Sequence, residues 1–156
     1  KAKNQKKFIS LNYQLIIERI SIFIITKDFL VKTRYESKEI ENIILPFFNL
    51  SVKKYNKSLF TLNKSNNNAQ LDFDKITYPI CIRNYKKGEK FLPLGMRKNK
   101  KISDFLSDKK VNYIIKLRQC VITDSTDSVL WVVGHQISNK FKVDSETKNI
   151  LEFEII

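Results

Sequence analysis

The sequence predicts an α+β fold that is rich in β-structure, and three observations carry that reading. Runs of β-branched and aromatic residues recur through most of its 156 residues. Helical spacing is confined to one stretch, residues 100–119. A polar tract, KSNNNAQ at 64–70, has nothing with which to pack and divides a mainly β first part from a second part. The second part is predicted to be a small mixed β domain in which two short helices follow a basic, glycine-containing loop.

Taken in order, FISLNYQLIIERISIFIIT (8–26) holds two β-rich runs around Glu18-Arg19 and reads as a hairpin. FLVKTRY continues the strand pattern. ESKEIENIIL supports two readings: its acidic opening suits a short helix, whereas Ile43-Ile44 followed by Pro46 suits an edge strand. FFNLSVKKYN is a further strand. Beyond the polar tract, TYPICIRNY is a strand with Pro79 at its start or on an edge.

In KKISDFLSDKK, Ile102, Phe105 and Leu106 stand at i, i+3 and i+4, so they share one helix face, with Ser103 or a neighbour as cap. VNYIIKLRQ is a second helix with Val111, Ile114 and Ile115 as its apolar stripe. CVITD and SVLWVVGHQI are strands joined by the turn-rich DSTDS. The segment FKVDSETKNILEFEII adds a polar turn and a last strand.

Hydrophobic residues make up 42% of the chain and include 11 Phe, enough for a packed core and too many for a disordered tail. The formal charge of +13 points to a polyanionic partner, nucleic acid before an anionic membrane surface. Abundant lysine is the plainer account of part of that charge. No run of ~20 apolar residues is present, so no membrane-spanning helix is expected. The basic start KAKNQKKF lacks the apolar segment of a signal peptide, and the chain does not begin with Met, as a piece of a longer protein need not. Cys81 and Cys120 lack any CxxC spacing and read as reduced thiols of a cytoplasmic protein.

Catalytic patterns are missing. His135 is the one histidine, and a lone strand histidine is more often structural than catalytic. Neither a nucleophile–His set nor a Cys/His metal spacing can be assembled, and no G-x-x-x-x-G-K-[ST] or G-x-G-x-x-G loop occurs. Asp72 and Asp74, two apart on one strand face, are the best candidates for a divalent cation, but a solvated strand edge explains them better. No catalytic and no metal-ligating residue is therefore expected in this chain.

The strong feature is RNYKKGEKFLPLGMRKNKKISDF, residues 83–105. The window from Arg83 to Arg118 holds 12 basic residues against three acids, so most of the net charge sits there. Two of the three glycines, Gly88 and Gly95, lie inside it. Glycine permits turns closed to other residues and lets backbone approach a phosphate without a Cβ in the way. The expected phosphate contacts are Arg83, Lys86, Lys87, Lys100, Lys101 and Lys109, with Gly88 and Gly95 shaping the loop and Asp104 orienting the helix. Tyr78, Tyr85 and Phe91 lie close by, but no patterned stacking platform appears, and Phe91 reads as core. Recognition of a duplex backbone is the better expectation than reading of single-stranded sequence.

The segment LDFDKITYPICIRNYKKGEKFLPLGMRKNKKISDFLSDKKV, followed by LWVVGHQISNKFKV, resembles the C-terminal region of the bacterial tRNA(Ile)-lysidine synthetase family. The matches are Arg83, Gly88, Pro93, Leu94, Gly95, Met96, Lys100, Lys101, Asp104, Phe105, Lys109, Trp131, Val132, Gly134 and Ile137, dense over residues 71–143. Three positions depart from the family: Glu89 stands for its Asp, Gln136 for its late-strand Arg, and the Pro after the second helix is replaced around Cys120.

The resemblance implies a parent ligase that uses ATP and Mg²⁺ to activate the wobble cytidine of the isoleucine tRNA with a CAU anticodon, and then attaches lysine. It implies that catalysis belongs to a PP-loop ATP pyrophosphatase domain with a Ser-Gly-Gly-x-Asp-Ser signature, which this sequence lacks. Residues 1–63 would then be a mainly β linker or substrate-holding subdomain. Residues 71–156 would be a tRNA-binding domain that holds the acceptor stem. Homodimerisation stays open. The alternative is a basic nucleic-acid- or ribosome-binding module with no enzymatic parent.

Overall fold

The computed structural model describes residues 6–18, 21–26 and 33–156. The predicted class holds: the chain is β-rich with two short helices and several antiparallel sheets. Its first unit is a meander of β1 (Lys6–Ile9), β2 (Tyr13–Glu18) and β3 (Ser21–Thr26), in which Glu18 faces Ser21. This is the hairpin that the alternation predicts. Arg19 and the opening of FLVKTRY, residues 29–32, lie outside the described residues.

Two larger sheets form the body. One is four-stranded, in the order β5 (Ile43–Ile44), β6 (Asn49–Asn56), β14 (Asn149–Ile155), β7 (Asn68–Asp72). The other is five-stranded, in the order β13 (Gln136–Ile137), β12 (Val129–Val132), β11 (Cys120–Thr123), β8 (Ile80–Asn84), β4 (Arg34–Ser37). The doubtful ESKEIENIIL segment thus resolves as an edge strand, because Ile43 is buried beside Leu50 while Ile44 faces water.

The sheets pack face to face through Leu50, Val52, Leu71 and Phe153 on one side and Ile80, Ile82, Ile122 and Leu130 on the other. Trp131 stacks on Phe153 across the layer, with centroids 6.5 Å apart. The outer face of the five-stranded sheet is covered by α1 (Ile102–Asp108). Its buried Ile102, Phe105 and Leu106 meet Val121, Val129 and Val132 as the i, i+3, i+4 pattern requires. Phe91, in β9 (Lys90–Phe91), joins this second core edge-on to Phe105, which confirms it as core.

Several expectations need correction. The polar tract at 64–70 does pack in part, since Asn68, Ala69 and Gln70 are buried as the start of β7, and it does not divide the sheets. β14 returns from the C-terminus to lie between β6 and β7, and β4 pairs with β8 across the tract. A boundary there would cut both sheets and the core between them. In α2 (Tyr113–Arg118), Ile114 is buried against Ile16 and Ile25 of the hairpin sheet, with Tyr113 and Leu117 beside it. Ile115, placed in the stripe by spacing, is 56% exposed because only one or two positions of so short a helix face inward. SVLWVVGHQI is not one strand: Gly134, at φ +74°, breaks it into β12 and β13. Ser103 does not cap α1, whose N-cap is Lys101 with no side-chain hydrogen bond. Among the described residues no helix is long and apolar enough to cross a membrane.

Candidate nucleic-acid interface

The basic loop is built from two glycine turns. In the first, Glu89 N–H donates to the Lys86 carbonyl at 3.1 Å, and Gly88, third of the four residues, has φ +79°. In the second, Met96 N–H donates to the Pro93 carbonyl at 2.9 Å, and Gly95 occupies the same place at φ +80°. A turn of this type demands a positive φ at its third residue, which glycine supplies without strain. A Cβ at either position would meet no atom within 4 Å. Backbone conformation, not close packing, is therefore what these two positions ask of glycine.

Between the turns the chain forms a small ladder. β9 pairs antiparallel with β10 (Lys100–Lys101), placing Lys100 opposite Phe91 and Lys101 opposite Lys90. Partners in a ladder share a face, and successive residues alternate. Phe91 and Lys100 thus turn inward, where Phe91 enters the core and Lys100 meets Asp108 of α1. Lys90 and Lys101 turn outward together. Lys87, in the first turn, is exposed as well.

Arg83 is not a surface cation. It pairs in register with Val121, on the α1 side of the sheet, and is only 5% exposed. Its guanidinium meets Glu89 at 2.6 Å and Asp127 at 2.7 Å, and Glu89 also accepts the Lys86 N–H at 2.7 Å. Burial alone would lower its pKa, but these two carboxylates outweigh that and hold it above the ordinary arginine value. Through these contacts Arg83 ties the first turn to the sheet, with its guanidinium turned inward rather than to solvent. Lys86 is engaged by Asp127, whose carboxyl is held below its usual range chiefly by that bond. Lys100 is engaged by Asp108.

Lys87, Lys90, Lys101 and Lys109 enter none of the ion pairs found among the described residues. Lys109 stands at the far end of α1, about 12 Å along the helix axis from Lys101. Its ammonium lies 5.9 Å from the centre of the Phe105 ring. Lys90 belongs with this set although the sequence reading did not single it out. The signal was available, since Lys90 directly precedes the core residue Phe91 and strand alternation turns it to the opposite face. Asp104 lies exposed in the first turn of α1, where its charge suits the helix dipole.

Asp72 and Asp74 do not fit a metal site. They lie at the entry of a 3-10 turn rather than on one strand face. Asp72 is buried and binds Lys75 at 2.8 Å and the Thr147 hydroxyl at 2.7 Å. Asp74 accepts from the N–H groups of Lys148 and Asn149 and from the Asn149 side chain. Among the described residues no cluster of three His, Cys, Asp or Glu is placed to hold a metal. The Nε2 of His135 lies 3.1 Å from Gln119 Oε1, and burial, then the nearby Lys109 charge, lower its pKa. Cys81 and Cys120 are free thiols. Gln136 gives its side-chain amide to the Leu94 carbonyl at 3.1 Å, bracing the second glycine turn.

Comparison with known proteins adds the following. Residues 37–155 match the B3/4 domain family. The tRNA(Ile)-lysidine synthase of Parabacteroides distasonis is 40% identical over 92 residues, covering 59% of this chain and 21% of that protein. Its counterpart from Bacteroides thetaiotaomicron is 28% identical over 151 residues, covering 97% of this chain and 33% of that protein. The chain thus spans between 21% and 33% of the length of these two relatives. Among solved structures, a TILS C-terminal domain superposes with a TM-score of 0.65 at 16% identity, over 80% of this chain and 98% of that one, a likeness of fold. An N-terminal fragment of the phenylalanyl-tRNA synthetase β-subunit from Pyrococcus horikoshii gives 0.51 at 27% identity, over 56% of this chain and 27% of that one.

Proposed function

The chain belongs to the B3/4 domain family, and from that premise we propose that it is the tRNA-holding part of a tRNA(Ile)-lysidine synthase. The observation that carries this reading is the run of outward lysines on the β8–α1 segment, in a chain whose relatives bear that enzyme's name. Lys87, Lys90 and Lys101 form the main phosphate-binding face, and Lys109 extends it past the end of α1. Arg83, Lys86 and Lys100 serve that face indirectly, by fixing the turns that carry it. Residues 34–56 and 71–156 act as one tRNA-binding body, since their strands share both sheets. The meander of residues 6–26 joins it through α2.

In this reading the whole protein ligates lysine to the wobble cytidine of the isoleucine tRNA in the cytoplasm. ATP, Mg²⁺ and lysine bind in a catalytic domain outside these residues, consistent with the engagement of Asp72 and Asp74 in local structure. A basic binding module without an enzymatic parent explains the lysines equally well but leaves the relatives unexplained.

The test is the salt dependence of isoleucine-tRNA binding by the 156-residue chain. With about four phosphates neutralised, log K against log salt should slope roughly −2.8 to −3.6. The double change Lys90→Ala, Lys101→Ala should reduce that slope by about 1.4–1.8 at unchanged circular dichroism. A salt-independent constant, or a double variant with the parent slope, refutes the assignment.

A further inference from the structure

A cleft of about 330 Å³ opens where the strap at residues 62–66 and the start of β7 face the β12–β13 turn. Its size lies at the lower end of the ~300–1,000 Å³ typical of small-molecule sites. Lys64, Asn68, Leu94, Lys109, His135 and Gln136 contribute to its walls. Asn68 is 7% exposed, and its amide nitrogen donates to Glu152 at 2.6 Å. Its Oδ1 is buried and accepts from no group among the described residues. A buried acceptor left in that state costs free energy, which a ligand donor would recover.

His135 supplies a second acceptor by a chain of assignments. Gln119 Nε2 donates to the Cys120 and Val133 carbonyls, both at 2.8 Å, so the Gln119 oxygen is the atom facing His135. That oxygen can only accept, so the proton of the neutral imidazole sits on Nε2. The other ring nitrogen, Nδ1, is then an acceptor. The cleft therefore combines two acceptors, on Asn68 and His135, with two ammonium groups, on Lys64 and Lys109, and the apolar Leu94 side chain. A ligand matching this set needs hydrogen-bond donors on a flat, uncharged group and a negative charge beside it.

We propose that this cleft takes one unpaired nucleotide of a bound RNA, with preference for a base that carries an exocyclic amino group. The amino group donates to Asn68 Oδ1, the base lies against Leu94, and the adjoining phosphate meets Lys109 or Lys64. Uracil offers a carbonyl oxygen where adenine and cytosine offer an amino group, and its one ring N–H must shift inward to reach the Asn68 acceptor. Lys109 links the cleft to the phosphate-binding face, so the nucleotide is held next to a duplex gripped by Lys87, Lys90 and Lys101. The inference rests on the RNA-binding reading and goes beyond it by adding an unpaired base to the recognised backbone.

The experiment uses the 156-residue chain and three labelled RNA hairpins, measured by fluorescence anisotropy at one salt concentration. One is fully paired, one carries a single unpaired adenosine at its end, and one carries a uridine there. The adenosine hairpin should bind about fivefold or more tightly than either of the others. That gain should vanish in Asn68→Ala and shrink in Lys109→Ala, an exposed position whose change leaves the core intact. Equal binding of all three hairpins overturns the cleft while leaving backbone binding standing. An adenosine gain that survives both substitutions also overturns it. Failure of every hairpin to bind overturns the RNA reading itself.

Discussion

Replacing Arg83 by methionine separates its two possible roles, because phosphate contact and turn anchoring predict opposite outcomes. In the structure the guanidinium is buried against Glu89, whose side chain is 10% exposed, and reaches Asp127, which is 53% exposed. Removing one member of a buried pair leaves the other charge uncompensated and costs about 3–5 kcal/mol. The Asp127 arm is half in water and adds little, within the ~0–1 kcal/mol of exposed pairs. The expected loss is therefore about 3 kcal/mol, a fall in Tm of roughly 6–12 °C for a domain of this size. Urea unfolding followed by circular dichroism reads the stability, and tRNA titration at several salt concentrations reads the contact. Arg83→Met should unfold at lower urea, yet its folded fraction should keep the parent salt slope. The double variant Arg83→Met, Glu89→Leu should recover part of the loss, since it removes the stranded carboxylate. A variant of unchanged stability whose salt slope drops by about one phosphate would refute the anchoring argument.

Two further expectations follow from the same geometry. Gly88→Ala and Gly95→Ala should each cost roughly 1 kcal/mol in thermal unfolding, from backbone strain at positive φ, because no neighbour blocks a Cβ. Gly88→Asn should cost less, since asparagine tolerates that region better. Acid should destabilise the fold through Asp144, whose pKa is lowered to about 2, first by its hydrogen bond with Lys75. A carboxyl with a depressed folded pKa contributes stability that is complete above its unfolded value of ~3.9. That contribution is lost as pH falls from there through about 2. Urea midpoints measured between pH 5 and pH 2 should show the decline, and Lys75→Ala should flatten it.

Much of the architecture was legible because it rests on local chemistry. The face formed by Ile102, Phe105 and Leu106 needs only helical spacing, and it is the face buried on the five-stranded sheet. Gly88 and Gly95 announced two turns, and both have the positive φ that glycine favours. The density of lysines marked the basic segment. Illegible were the features that depend on partners far along the chain. Arg83 meets Asp127 across 44 residues, so counting charges within a window of neighbours treated it as free. Lys100 and Lys101 look alike in sequence, but the ladder opposite Phe91 and Lys90 turns one inward and the other outward.

The same division governs the organisation of the whole chain. Composition and periodicity by themselves determined a β-rich fold with a strongly cationic segment and no recognisable catalytic set. Those properties are sums over residues or patterns of a few neighbours. Tertiary structure alone drew the end of the polar tract at 64–70 into β7 and, through β14, into one sheet with β6. It also decided which cations of the basic segment are held by carboxylates, and it drew Asn68, Lys109 and His135 around one cleft. The physical reason is register: a strand's alternation says that residues face two ways, and only the partner strand says which way is out.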